Sequence, residues 1–220
     1  MFRGWNSSSS LAHLIKPGGH RYLPPRRTHR FTQKGRHLMA TTTWNIDTTH
    51  SAIHFSVRHM VIAKVRGSFR KYSGAISLDE QDITKSSVAV TIETASIDSG
   101  VEQRDTHLRS PDFFDVEKFP SITFKSTKVE KASGNGLKVT GNLTIRDITR
   151  EVVLDAEQLG GAKDPWGNVK TAFEAKTSVD RRDFGLTWNQ ALEAGGVLVG
   201  EKIEIAIEVQ AVKAQAEQAA

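Results

Sequence analysis

The chain has 220 residues and no cysteine, so disulfide scaffolds, thiol catalysis and cysteine-based metal centres are excluded. Its net charge of +5 is unevenly spread. Eight of the 30 basic residues lie in residues 1–38, where there is no acid, which leaves 22 basic against 25 acidic side chains for the remainder. The body is mildly acidic, and a nucleic-acid-binding reading loses its main support. No apolar run approaches the roughly 18 residues of a membrane-spanning helix.

Residues 1–38 combine a serine run, Gly18-Gly19, Pro24-Pro25 and scattered basic residues, with no sustained period. The expectation is a disordered basic segment that is not part of the working protein, with Met39 as an alternative start. An Arg- and Ser-rich, acid-free composition also fits an organellar transit peptide, the minor alternative. The apolar patch from Leu11 to Ile15 is broken by His13 and too short for a secretory signal, so the expected location is cytoplasmic.

From Trp44 onward the apolar period is two. Ile53, Phe55 and Val57 alternate with polar residues, as do Val88, Val90 and Ile92, then Ile122 and Phe124, then Leu143 and Ile145. Val169, Thr171, Phe173 and Ala175 follow the same rule, and Ile203, Ile205, Ile207 and Val209 give the clearest case. Each such segment reads as a strand with one dry face, in an antiparallel sheet. Gly- and Pro-containing turns separate about eight of them by the periodicity rule. Closing the sheet into a barrel buries the apolar face and removes the edges. The expected domain is 39–213, with 214–220 as a frayed end.

One segment, 101–115, has no alternation. It reads as a short helix started at Ser99 or Gly100, followed by a second helical turn with Ser110 as cap and Pro111 at its first position. Phe113 and Phe114 form its apolar side. Asp105, Asp112 and Asp115 lie beside Arg104 and Arg109, and capping and ion pairing account for them better than acid–base chemistry. His50 and His54 on a strand stand roughly 13 Å apart, too far to share a metal ion. Nucleophile-elbow, zincin, P-loop and EF-hand motifs are absent.

Several blocks in order carry a resemblance. They are DTTHSAIHFSVRHM, VRGSFRKYSGAI, ETASIDSGVEQRDTHLRSPDFFDVEKFPSITFKS, GNLTIRDIT, DPWG, RRDFGLTWN and GVLVGEKIEIAIEVQAVK. From about Trp44 to Lys213 the chain resembles the YceI-like family of lipid- or polyisoprenoid-binding proteins. Asp147 stands where family members commonly have glycine, which bears only on the local turn. The resemblance implies an all-β, eight-stranded antiparallel, lipocalin-like barrel with one short helix. It also implies a long lipid in the lumen, with no catalytic residue and no cofactor beyond an isoprenoid or quinone-like lipid as ligand.

On that reading the lumen candidates are Phe55, Val57, Val90, Ile92, Phe114, Phe124, Phe173, Trp188 and Ile205. Trp188 either stacks on the ligand or plugs the barrel end. Arg58, His59, Arg104, His107 and Arg109 are the candidates for an anionic head group. An eight-stranded barrel either fills with side chains or holds one ligand, and the sequence leaves both open. The expected function is carriage, storage or sequestration of a polyisoprenoid or similar amphiphile. The rivals are an enzyme acting on a lipid in the barrel and a filled-core stress or interaction protein. The expected partner is the lipid, with no nucleic acid and no integral membrane segment, and a homodimer is left open.

Overall fold

A computed structural model describes residues 41–215 apart from Val61 and Ala194. The expectations for 1–38 and for the last residues of the chain lie outside the described residues. The alternating segments form one antiparallel sheet: β1 (Thr42–Ile46), β2 (Ala52–His59), β3 (Ala63–Phe69), β4 (Tyr72–Leu78), β5 (Ser87–Glu93), β6 (Ile97–Asp98), β7 (Ser121–Lys131), β8 (Gly136–Ile145), β9 (Ile148–Lys163), β10 (Val169–Asp180) and β11 (Val199–Lys213).

Three staves of the barrel are each built from two strands in line. β1 continues into β2, β3 into β4 and β5 into β6. At the second and third breaks, backbone hydrogen bonds keep the neighbouring staves joined, from Arg70 N to Ser96 O at 3.1 Å and from Glu93 N to Lys71 O at 2.9 Å. Counted by staves, the sheet is a closed eight-stranded antiparallel barrel. The last strand closes it. β11 pairs with β1 through Trp44 opposite Lys213, and with β2 through Val57 opposite Ile203. Closure satisfies backbone groups that an open sheet would leave as edges.

Helix α1 (Glu102–Arg109) packs through Leu108 against the apolar cluster at one end of the barrel. Its N-cap is Val101, not Ser99 or Gly100, and it makes no side-chain cap bond. The helix start is tied from within instead. The buried Asp105 carboxylate accepts from the Ser99 backbone N–H at 2.9 Å and from the Ser99 hydroxyl. Arg104 donates to Ser99 Oγ at 2.7 Å and to Ser99 O at 2.8 Å. The expected second helical turn is not a helix. Ser110 O accepts from both Phe113 N and Asp115 N, and Asp115 has a φ of 49°, so the chain folds into successive tight turns.

Fully buried apolar side chains gather towards the two ends. Phe113, Ile122, Leu143, Val179, Phe184 and Leu186 pack at the helix end. Val129, Leu137, Val139 and Leu154 pack towards the other, where Trp44, Leu78 and Ala211 form a further cluster. Val169 departs from the parity reading. It is exposed, because the β9–β10 hairpin runs past the rim of the barrel and Val169 pairs only with Lys163 of β9. Among the described residues no helix is long and apolar enough to cross a membrane.

Candidate functional site: an apolar lumen

Between the two packed ends the inward side chains are only half-buried. Phe55, Val90, Phe124, Val152, Phe173 and Ile205 all sit on the inward face of their strands, yet none is fully covered. They face a cavity of about 280 Å³ whose wall exposes apolar atoms only. That is close to the lower end of ligand-site volumes, roughly 300–1,000 Å³. Along β10 the wall runs through Phe173, Ala175, Thr177 and Val179, and it ends at Arg181 in the turn that follows the strand. The eight steps from residue 173 to 181, at about 3.3 Å each on strands tilted by roughly 40°, give a wall about 20 Å long up to and including the packed helix end.

Two glycines keep this space open. Gly67 stands opposite Phe55 in the β2–β3 register, and a Cβ placed there would meet the Phe55 ring and, at 2.8 Å, the Asp98 carbonyl. Gly141 on β8 does the same for Phe124, with a Cβ falling 2.5 Å from the Phe124 ring and 2.6 Å from the Lys125 carbonyl oxygen. Each phenyl ring therefore lies down on a bare backbone instead of projecting across the barrel. The Phe55 ring contacts Phe69 at a centroid distance of 5.8 Å, and Phe69 meets Phe114 edge-on at 6.1 Å, which carries the aromatic wall to the helix end.

Eight of the nine lumen candidates line this cavity: Phe55, Val57, Val90, Ile92, Phe114, Phe124, Phe173 and Ile205. Trp188 does not. Its ring packs against His107 at 4.6 Å and Phe113 at 5.3 Å, so it belongs to the plug at the helix end. None of the five head-group candidates lines the cavity. Arg109 is committed to the carbonyls of Ala95 and Ile97, both at 2.9 Å, and Arg104 to Ser99. His107 holds Asp112 at 2.9 Å and is stacked edge-on against Phe113 and Trp188. Arg58 is exposed on the outer face of β2, and His59 ends that strand.

The residues 44–211 match the YceI-like domain family. The chain belongs to that family. Among its YceI-like relatives, a UPF0312 protein of Serratia proteamaculans is 38% identical over 166 residues, which are 76% of this chain and 83% of that one. The crystal structure of the YceI protein of Campylobacter jejuni has a TM-score of 0.62 with 34% identity, covering 72% of this chain and 90% of the other. A polyisoprenoid binding domain from Saccharophagus degradans shares the fold, with a TM-score of 0.56 at 12% identity over 79% of this chain and 99% of that one.

The YceI-like barrel also holds a group that periodicity did not single out. Arg181 is only 5% exposed and reaches the lumen wall. It donates to the carbonyls of Leu186, Trp188 (2.9 Å), Val199 (3.3 Å) and Gly200 (2.9 Å). Burial lowers its pKa, and Glu201 and Asp180 pull it back up. The guanidinium thus clamps the 186–188 turn to the start of β11 with its donors turned to backbone oxygens, and it adds no polar atom to the lumen surface. The only local signal is an arginine at the end of an alternating strand, which reads equally well as a solvated charge. Among the described residues there is no group of three or more His, Cys, Asp or Glu side chains placed to hold a metal ion.

Proposed function

We propose that the barrel binds a long apolar lipid, a polyisoprenoid or a similar amphiphile, non-covalently in its lumen, for carriage, storage or sequestration. The observation that carries this reading is the unfilled lumen with its wholly apolar wall. Burial of each methylene contributes about 0.8 kcal/mol, while association costs roughly 4–15 kcal/mol. A short chain would barely offset that cost. A chain of about fifteen carbons or more yields roughly 12 kcal/mol, and an elongated lumen suits it.

A wall without polar atoms offers nothing to a head group, so the head belongs outside it. A quinone-like lipid with an isoprenoid tail satisfies the same chemistry. The name of the Saccharophagus degradans domain supports the polyisoprenoid class. The apolar lumen surface supports binding over catalysis, because the polar residues of the lining, Tyr72, Thr177 and Arg181 among them, turn no polar atom to the lumen. No cofactor is proposed.

The test is native mass spectrometry of the purified full chain, with organic extraction of whatever is retained, followed by titration with a fluorescent fatty-acyl or polyprenyl probe. A retained lipid, or saturable probe binding with one site per barrel, supports the reading. A protein that retains no lipid and binds neither probe refutes it.

A further inference from the structure

The β2–β3 ribbon at the helix end has a composition that a folding role does not require. Residues 52–69 contain Arg58, Lys64 and Arg66 and no acid. Arg58 faces Lys64 directly across the ribbon, and Arg66 faces Ser56, all on the outer side, while Val57 and Val65 face inward. Like charges opposite one another on paired strands are unfavourable. Glu204 relieves only Lys64, at 2.6 Å. Arg58 and Arg66 are exposed and make no ion pair among the described residues. The acids near them on β11 are already engaged, Glu204 by Lys64 and Glu201 by Arg182.

The tip of the same ribbon is apolar. Ile62 is 82% exposed and Met60 43%, beside Val197 at 37% in the loop before β11, to which the ribbon is tied by Met60 N donating to Leu198 O at 2.9 Å. Met60 has a φ of 49°, a turn position that glycine would hold without strain, yet a large apolar side chain occupies it. The lumen wall reaches Val57 and Val199, immediately below this tip. On its far edge β3 pairs with β6 only through Ser68 and Phe69, so residues 63–67 form an open edge there, while β2 stays paired with β11 as far as His59 opposite Val199.

From an apolar tip above a basic collar, in which Arg58 and Arg66 have no ion-pair partner among the described residues, we infer that the β2–β3 ribbon docks on an anionic lipid bilayer, with Met60 and Ile62 entering the interfacial zone and Arg58 and Arg66 meeting the lipid head groups beside the Lys64–Glu204 pair. An apolar tip alone would suit a protein partner or a second copy. The collar keeps two exposed arginines, Arg58 and Arg66, with no ion-pair partner among the described residues; it is complementary to anionic head groups, and it repels an identical ribbon. Glu193 in the neighbouring loop opposes such a surface, which makes the ribbon, not that loop, the leading contact. Docked this way, the protein would set the end of its lumen against the membrane. The docking goes beyond the lumen reading and stands without it.

The absence of cysteine makes the test direct. An environment-sensitive dye is attached to Ile62→Cys and, in a second protein, to Trp166→Cys on the projecting β9–β10 turn. Each full-length protein is mixed with vesicles of phosphatidylcholine alone or of an equimolar phosphatidylcholine–phosphatidylserine mixture. The dye at position 62 is expected to shift to the blue only with the anionic vesicles, and the dye at 166 to stay wet. The double change Arg58→Gln/Arg66→Gln, on exposed positions that folding tolerates, should weaken partitioning about fivefold per charge removed. Added salt should act in the same direction.

Vesicle binding through the basic residues 1–38 would leave both dyes wet and be insensitive to the two arginines, and that result overturns the proposal. So does a blue shift at position 62 that needs no vesicles and tracks dimer formation by size-exclusion chromatography, since the occupant would then be a second copy. Failure of vesicle binding with intact probe binding would overturn the docking and leave the lumen reading in place.

Discussion

Alanine at Gly141 is expected to push the Phe124 ring off its seat and into the lumen. The added methyl would lie 2.5 Å from Phe124 Cζ and 2.6 Å from the Lys125 carbonyl oxygen, against about 3.5–4.0 Å for comfortable carbon contacts. Overpacking of this kind costs about 1–3 kcal/mol, offset by roughly 0.4–1 kcal/mol from the stiffer unfolded chain. The net expectation is a loss of about 1–2 kcal/mol. Phe124→Ala by itself should cost about 3 kcal/mol, the low end for a phenylalanine, because one side of the ring already faces a void.

The informative quantity is their coupling. With the ring removed, the collision with Phe124 vanishes while the one with the Lys125 carbonyl persists, so the double variant should be more stable than the sum of the singles by about 1 kcal/mol. Urea unfolding of the four proteins measures this, and a total stability of roughly 5–15 kcal/mol leaves room for it. The same Gly141→Ala protein should also bind a fatty-acyl probe more weakly, since the displaced ring occupies the lumen. Strict additivity within about 0.5 kcal/mol, together with unchanged probe affinity, would refute the idea that the glycine keeps the lumen open.

Phe173→Glu should abolish probe binding, because an unpaired carboxylate in an apolar lumen is strongly disfavoured, while Glu174→Gln on the outer face leaves it intact; probe titration of the two variants decides. Arg181→Met leaves the carbonyls of Leu186, Trp188, Val199 and Gly200 without their shared donor, and should lower the unfolding free energy by more than about 3 kcal/mol in urea. Hydrogen bonds from Arg182 hold the Asp180 carboxyl at a pKa of about 2, below its ordinary 3.8. A depressed folded-state pKa stabilises fully above the unfolded value and is lost as pH falls through the folded one. The stability gap between the wild type and Asp180→Asn should therefore be present at neutral pH and close between pH 3.8 and about 2 in acid-titrated thermal melts.

The strands, their antiparallel sense and most of the lumen wall are legible in the amino-acid sequence, because a period of two is a local property. Ile203, Ile205 and Ile207 face inward for the reason that makes them alternate, and Phe55 and Phe124 follow the same rule. Parity has no knowledge of where a strand leaves the barrel, so it places Val169 inside although the β9–β10 hairpin carries it past the rim. Nor does it separate a ring facing a cavity from one in a plug, which is why the sequence leaves both roles open for Trp188 and only its packing on His107 and Phe113 decides for the plug. For Arg104 and Arg109 the sequence leaves a head-group role open beside a structural one, because their acceptors are backbone carbonyls and a serine that local pattern does not reveal. Whether the barrel is hollow is decided only by tertiary structure. Side-chain volume sums alone allow either outcome, and the choice rests on register: Gly67 lies opposite Phe55 and Gly141 beneath Phe124, pairings between separate strands that let two large rings lie flat against the wall and leave the middle of the barrel empty.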